Sequence, residues 1–480
     1  MKSLAFASIN QLKKKLAEKE ISSQELLSYF INRFKKYDGQ LGAALEIFDA
    51  SSIINVSEKQ GVLTGIPGIT KDNICQRDRI TSCASKILSN FRSTYDSTAV
   101  MRLKKAGALM IGRANCDEFA MGSSGEYSSI KRTANPWDIS RVAGGSSSGP
   151  IASVAAGLIP WALGSETGGS VRLPAAFCGV IGLKPTYGAV SRYGLVAYGS
   201  SLDQIGVATR NVFDNALLFS VIAGNDPKDS SSHALLPKDY TLSLDGQLPK
   251  GIKIGVIENM INAEGIDPEI SKALDNAIKK YEKIGATISR ISLPSLDYGA
   301  AVYFIVSRAE LASNLARFDG VRYGKRVSDE TLIKMYEKTR HDGFGAEVRM
   351  RIIVGNYVLS TGHADKFYEK AQQVQNLMRA EFDQAFAKVD LLFAPVHAMT
   401  AFKFGAMTNK LQMDLQDYFT CPANLAGIPA ISVPCGFSNE KLPISFQLIG
   451  PKFSEQTLFN VAHAYEQENE WYTMVPPGFE

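Results

Sequence analysis

Two glycine–serine stretches, Ala143-Gly-Gly-Ser-Ser-Ser-Gly-Pro150 and Gly164-Ser-Glu-Thr-Gly-Gly-Ser-Val-Arg172, flank a mostly apolar segment, and their reading decides the rest of the chain. A glycine–serine cluster alone most often marks a flexible linker. The flanks here argue otherwise, because the first cluster runs directly into apolar residues and the second lies between apolar runs, with Ser146 and Ser170 only 24 residues apart. Pro150 suits the first turn of a helix that residues 151–156 can continue and Gly157 can stop. Leu158-Ile-Pro-Trp-Ala-Leu-Gly164 then reads as a buried strand ending at Gly164. A glycine pair after such a strand lets the backbone turn tightly and present N–H groups to a ligand.

Neither stretch is a phosphate cradle, since the Walker lysine is absent and no GxGxxG fingerprint follows a strand. Gly145-Ser-Ser147-Ser-Gly149 matches GxSxG as a string, but a nucleophile elbow needs a core strand before it. Residues 135–142, NPWDISRV, are polar and carry Pro136, so the match reads as chance. Histidines at 233, 341, 363, 397 and 463 offer no obvious base for a serine, which leaves lysine as the known alternative partner. Gly65-Ile-Pro-Gly-Ile-Thr-Lys71-Asp-Asn-Ile74 ends an apolar, strand-like run on a lysine. Most lysines at strand ends are solvated, and a lysine near its ordinary pKa of about 10.4 cannot accept a proton at neutral pH. A basic role therefore requires Lys71 to be desolvated.

Working outward, residues 8–34 read as two amphipathic helices, with Ile9, Leu12 and Leu16 at helical spacing and Ser22–Ser23 capping the run Leu26, Leu27, Phe30 and Ile31. From residue 63 to 206, short apolar runs (LTGIPGIT, ALMIG, LIPWALG, CGVIGL) alternate with helical segments such as 97–105, which predicts an α/β sheet. Residues 224–251 read as a surface loop; KIGVIE and ATISRISLP as strands on either side of a helix at 267–284; residues 300–387 as mostly helical; and DLLFAPVHA, PAISVPCG and ISFQLIG as further core strands. No internal repeat or low-complexity linker divides the 480 residues, so one domain is expected over 1–480: an N-terminal helical segment (1–60), core motifs (61–210) and the remainder with a helical insertion (211–480).

With 45% apolar and 21% charged residues the chain is not disordered or fibrous, and a net charge of +4 is too small to mark a nucleic-acid binder. Cysteines at 75, 83, 116, 178, 421 and 435 include no CxxC pair, so reduced thiols are expected rather than a zinc site or a disulfide framework. The N-terminus lacks an apolar h-region and no stretch reaches membrane-spanning length, which predicts a cytoplasmic, soluble protein.

A lysine in Gly-Ile-Pro-x-x-x-Lys-Asp-Asn, a Gly-Gly-Ser-Ser loop and a serine in Thr-Gly-Gly-Ser-Val-Arg, in this order and spacing, resemble the amidase signature family over nearly the whole chain. Asp117-Glu-Phe-Ala-Met-Gly-Ser-Ser124, Lys184-Pro-Thr-Tyr-Gly188, Ser201-Leu-Asp-Gln-Ile-Gly206, residues 313–324 and Pro422-Ala-Asn-Leu-Ala-Gly-Ile-Pro429 are similar to its branch of glutaminase subunits serving tRNA-dependent amidation. The resemblance implies an α/β fold with a central mixed β-sheet covered by helices on both faces. It implies a Ser–cisSer–Lys triad in which Ser170 is the nucleophile, Ser146 the relay and Lys71 the final base. It implies an oxyanion hole from the backbone N–H groups of Thr167, Gly168, Gly169 and Ser170, where glycine lets the amides approach the oxyanion. For glutamine it implies Arg351 (with Arg349 as the fallback) on the α-carboxylate, Asp417 on the α-ammonium, and Tyr303 lining the pocket; from the residues alone, the two charged groups would read as surface ion pairs. It implies no metal and no cofactor in this chain, B and C partner subunits, ATP and Mg at the partner, and misacylated Glu-tRNA(Gln) as the partner's substrate. Ser148, Pro150, Ala143 and Gly125-Glu-Tyr127 depart from the family pattern without removing a triad position. A stand-alone amidase of small amides is the alternative enzyme reading, and a non-catalytic scaffold is disfavoured because the whole triad is present.

Overall fold

Ser8 and Ser22 each accept a backbone N–H three residues on, while Gln11 and Glu25 reach back to the capping residue, and these reciprocal bonds start the helices Ile9–Ala17 and Ser23–Leu41. Leu26, Leu27, Phe30 and Ile31 are buried, as their spacing predicts. Ser97 caps Thr98–Lys105 in the same way. The computed structural model describes residues 4–54, 60–469 and 471–480, so parts of the N-terminal segment, residues 1–3 and 55–59, lie outside it.

The strands are β1 (Ala44–Ile47), β2 (Pro67–Lys71), β3 (Leu109–Ala114), β4 (Ala134–Asn135), β5 (Asp138–Val142), β6 (Trp161–Glu166), β7 (Ile181–Lys184), β8 (Gln204–Thr209), β9 (Lys253–Ile257), β10 (Thr287–Ile291), β11 (Leu391–Pro395), β12 (Ala430–Phe437) and β13 (Pro443–Ile449). Eleven of them form one sheet in the order β1-β3-β2-β6-β8-β7-β12-β13-β11-β9-β10. β2 runs parallel to β3 and β6, and β9 parallel to β10 and β11, while the other pairs are antiparallel, so the sheet is mixed. Every residue of β2, β6, β7, β8, β11 and β13 is buried. Alternate residues of a strand point to opposite faces, so unbroken burial means that helices cover both. Pro434 is tolerated inside β12 because the register slips there, between Pro434 and Gly436, where a ladder donor is not required.

Two details differ from the sequence reading. β6 does not stop at Gly164 but continues through Ser165 and Glu166, because both remain paired with Ile205 and Gln204 of β8. The NPWDISRV segment does form strand, but as the small β4–β5 hairpin outside the main sheet. Among the described residues no helix is long and apolar enough to cross a membrane. All six cysteines are free and buried.

The site is positioned by the parallel pair β2–β6, where Ile69 faces Ala162 and Thr70 faces Leu163. Lys71 ends β2, and beyond Glu166 the chain turns through 167–170 into the helix Arg172–Cys178. Glu166 closes this turn by accepting the backbone N–H groups of Val171 and Arg172, each at 3.0 Å, and pairs with the Arg172 guanidinium at 2.5 Å. Both side chains are fully buried, and Arg172 also donates to the Thr420 carbonyl, Asn424 Oδ1 and Gln447 Oε1. Burial opposes the charge on Glu166, and Arg172 outweighs it, holding the carboxyl below its ordinary value. Removing one partner of such a pair strands a buried charge at a cost of about 3–5 kcal/mol. Glu166→Gln should therefore lower the thermal unfolding midpoint by several degrees, whereas Glu440→Gln, which breaks the exposed bridge to Arg141, should leave it nearly unchanged. Equal midpoints for the two variants would show that the Glu166–Arg172 pair does not hold the turn.

Candidate active site

Lys71 is 0% exposed, and its Nζ meets Ser146 Oγ at 2.8 Å, Ser147 Oγ at 3.0 Å and the Ser165 carbonyl at 3.1 Å. All three partners are neutral oxygens, and burial depresses the amine to about 8, with the carboxylates of Asp117 and Asp203 opposing the shift. The desolvation that a basic role requires is therefore present.

Once the amine is neutral, hydrogen-bond valence orders its three contacts. A neutral amine has two N–H donors and one lone pair. The Ser165 carbonyl can only accept, so it takes one N–H. Ser147 Oγ gives its own proton to that same carbonyl at 3.0 Å, so it faces the amine as an acceptor and takes the second N–H. In the ammonium form Nζ donates to Ser146 Oγ at 2.8 Å; in the neutral form the lone pair is left for Ser146, whose hydroxyl can then donate across the same contact. In this arrangement Ser146 Oγ keeps its acceptor capacity for another hydroxyl. The sequence marked Ser147 only as the centre of a chance GxSxG string, yet its hydroxyl sets this polarity.

Ser146 follows a cis Gly145–Ser146 peptide bond, in line with the family resemblance. Asp117 holds that loop: its N–H donates to the Ser146 carbonyl at 3.2 Å, and its carboxylate accepts from the Gly125 and Tyr127 N–H groups at 3.1 and 2.8 Å. A Cβ on Gly145 would fall 2.0 Å from Asp117 Oδ2, so only glycine fits there. Burial raises the Asp117 carboxyl to about 6. Ser170, at 6% exposed, is the most accessible of the three triad positions. Its carbonyl accepts the Ser147 N–H at 3.1 Å, which sets the two loops side by side. Among the described residues no hydrogen bond joins Ser170 Oγ to Ser146 Oγ; Lys71 and Ser146 are joined directly and Ser170 stands beside them.

The turn at Thr167, Gly168 and Gly169 lies under three side chains from elsewhere in the chain. A Cβ on Gly168 would come within 2.4 Å of Tyr303 Cζ, and one on Gly169 within 2.3 Å of Thr420 Oγ1 and 3.0 Å of Asp417 Oδ1. Glycine is thus needed here for the approach of Tyr303, Thr420 and Asp417 from outside as well as for open amides. Thr420 Oγ1 donates to the Gly168 carbonyl at 2.7 Å, and Ser123 Oγ donates to Asp417 Oδ2 at 3.2 Å. Tyr303, on the helix Gly299–Asn314, is buried, and its phenol is raised well above its ordinary value by burial. Arg351 lies on the inner face of the helix Ala346–Leu359, where its Nε pairs with Glu347 at 2.6 Å and Nη1 donates to the Tyr198 hydroxyl at 2.8 Å. Arg349 points elsewhere, to His341 at 2.8 Å, so the two candidate arginines have different surroundings.

The carboxylates beside the motif lysine and serine are both engaged by arginines, Asp72 with Arg113 at 2.9 Å and Glu166 with Arg172. The residues that depart from the family pattern sit behind the loop: Ser148 Oγ donates to Thr133 Oγ1 at 3.1 Å, and Pro150 lies in the first turn of the helix Ser148–Ala155, where no N–H is required.

A protein-family model described as Amidase matches residues 25–459. The glutamyl-tRNA(Gln) amidotransferase A subunit of Trichodesmium erythraeum is 47% identical over 483 residues, covering 98% of this chain and 99% of that protein. The protein of the same name from Carboxydothermus hydrogenoformans is 49% identical over 484 residues, with the same coverage. The crystal structure of the glutamyl-tRNA(Gln) amidotransferase A subunit from Thermotoga maritima superposes with a TM-score of 0.85 at 39% identity, covering 100% of this chain and 99% of that one. Peptide amidase from Stenotrophomonas maltophilia gives 0.84 at 29% identity, covering all of both chains.

A lysine depressed to about 8 loses its neutral form as pH falls through that value. Amide-hydrolysing kcat/KM should accordingly rise with pH up to about 8 and level off above it, dropping roughly tenfold per unit on the acid side. Lys71→Arg should be as inactive as Lys71→Ala, because guanidinium stays protonated. Substantial turnover by a folded Lys71→Arg variant would remove the lysine from the proton path.

Proposed function

The chain belongs to the amidase family, and from that premise we propose that it is the glutamine-hydrolysing subunit of a tRNA-dependent amidotransferase. The observation that carries the chemistry is the contact between the buried Lys71 amine and Ser146, beside a turn that presents Ser170. Identity of 47–49% along the full length to proteins named as amidotransferase A subunits supports the assignment of role.

In this reading Ser170 Oγ attacks the side-chain amide carbon of glutamine as its proton passes to Ser146 and that of Ser146 to Lys71. The N–H groups of Thr167, Gly168, Gly169 and Ser170 face the developing oxyanion, where losing one such donor costs about 10²–10³ in rate in a comparable enzyme. The tetrahedral species collapses, the relay returns a proton to the leaving nitrogen, and ammonia departs from a glutamyl ester on Ser170. Water, deprotonated through the same relay, releases glutamate and restores the serine. Arg351 takes the α-carboxylate through its guanidinium, Asp417 the α-ammonium, and Tyr303 closes the wall between them. Ammonia then passes to a B subunit that activates Glu-tRNA(Gln) with ATP and Mg, with a C subunit bracing the pair. Hydrolysis in this chain needs no cofactor, and the assembly works in the cytoplasm.

The similarity to a peptide amidase favours a second reading, a stand-alone amidase of small amides. Glutaminase activity that rises sharply when B and C partners, ATP and charged tRNA are added separates the first reading from the second. Ser170→Ala should abolish glutamine hydrolysis while leaving ammonia-dependent amidation by the assembled complex largely intact. Loss of both activities in a correctly assembled complex would reject the division of labour. Arg351→Ala should raise KM for glutamine by about tenfold or more, as for a lost charged hydrogen bond, and spare simple amides lacking an α-carboxylate. If both substrates suffer equally, Arg351 holds the helix rather than the substrate.

A further inference from the structure

Asp203, in the Ser-Leu-Asp-Gln-Ile-Gly segment leading into β8, is 3% exposed and outside the triad, the oxyanion turn and the glutamine-binding residues. Its Oδ1 accepts the Thr167 hydroxyl at 2.7 Å, and its Oδ2 accepts the Tyr198 N–H at 2.7 Å. The Gly199 N–H reaches both oxygens at 3.1 Å. One end of the carboxylate thus grips the turn that supplies the oxyanion amides. The other grips the backbone of Tyr198, whose hydroxyl holds Arg351 Nη1 at 2.8 Å. Asn314 Nδ2 fixes the same segment from the helix side by donating to the Tyr198 carbonyl at 3.1 Å.

We propose that Asp203 is a positioning residue that keeps the oxyanion turn and the glutamine-carboxylate arginine at a fixed separation, through Thr167 on one side and Tyr198 on the other. The idea rests on the reading of Arg351 as the carboxylate-binding residue and of 167–170 as the oxyanion turn. A ligand bound at both ends is aligned for attack only if its carbonyl and its carboxylate partner are held at the right spacing, and a misplacement of about 1 Å can cost on the order of 100-fold in rate. No direct contact of Asp203 with the reacting atoms is needed.

The chemistry of the contacts predicts which substitutions matter. Asparagine can keep both grips: its carbonyl oxygen accepts the Tyr198 and Gly199 N–H groups, and its NH₂ donates to the Thr167 oxygen, which accepts as readily as it donates. Alanine keeps neither. Asparagine also removes the negative charge that opposes the depressed pKa of Lys71, so it separates positioning from electrostatics.

The test is steady-state kinetics of the full chain with glutamine and with a simple aliphatic amide lacking an α-carboxylate. Asp203→Ala should lower kcat on both substrates roughly 10- to 100-fold and raise KM for glutamine about tenfold, while Asp203→Asn retains most of both parameters. In a Thr167→Val background the kcat effect of Asp203→Ala should vanish, and in a Tyr198→Phe background its KM effect should vanish, since the link each transmits is already broken. Additive effects in both backgrounds, or an asparagine variant as impaired as alanine, would overturn the proposal. A wild-type chain that, even assembled with B and C partners, ATP and charged tRNA, turns over the simple amide but not glutamine would instead sink the glutaminase reading, and the Thr167 cycle on the simple amide would still decide whether Asp203 positions the turn.

Discussion

A fully buried primary amine held by neutral oxygens is the constraint on which this site depends. Lys71 is carried out of solvent at the end of β2 and given neutral oxygen partners, so desolvation outweighs the carboxylates of Asp117 and Asp203 and the amine is depressed to about 8. A salt bridge at the same position would have favoured the ammonium. The oxygens must therefore come from neutral groups held at hydrogen-bonding distance. Two belong to the loop after β5 and the third to β6. β2 and β6 are parallel neighbours, which brings their C-terminal ends, and the loops that surround them, to one place.

Loops that supply such contacts cannot be left to fluctuate, and buried carboxylates hold them here. Asp117 gathers the backbone of 125–127 and of Ser146, Glu166 closes the 167–170 turn with Arg172, and Asp203 ties that turn to Tyr198. A buried carboxylate is costly unless its oxygens are filled, and backbone N–H groups in a turn are donors that otherwise lack partners. The two deficits offset each other, and the turn is fixed by the same bonds. Asp117 and Asp203 sit near about 6 because burial outweighs the donors around them, whereas Glu166 falls below its ordinary value because Arg172 stands against it.

The glycines of the two loops answer to packing as much as to the open amides expected of them. Gly168 and Gly169 admit Tyr303, Thr420 and Asp417, which arrive from helices more than 130 residues further along the chain. Gly145 admits the Asp117 carboxylate. Each of these side chains would be displaced by a single methyl group, so the glycine pattern records a tertiary fit that no local rule contains.

Local chemistry made much of the protein readable in advance. Capping serines at 22–23, alternating apolar runs and a lysine ending an apolar strand are short-range signals, and the helices, the core strands and the three positions Lys71, Ser146 and Ser170 followed from them together with the family resemblance. Ser147, Asp117, Asp203 and Tyr198 were not legible as parts of the site, since their roles lie in contacts that span up to 153 positions of sequence, as between Tyr198 and Arg351. The resemblance put Arg351 ahead of Arg349, but which of the two faces the interior depended on helix phase. Two residues are about 200° apart around a helix, so one must face in when the other faces out. The helix Ala346–Leu359 leaves Ile353, Tyr357 and Leu359 exposed, so its apolar pattern could not mark the inner face. The sequence determined which elements form and which side chains can carry the chemistry, because those depend on neighbours a few residues away; only the tertiary structure decided which way each hydrogen bond points and which charge meets which loop, because those depend on where the sheet brings distant residues together.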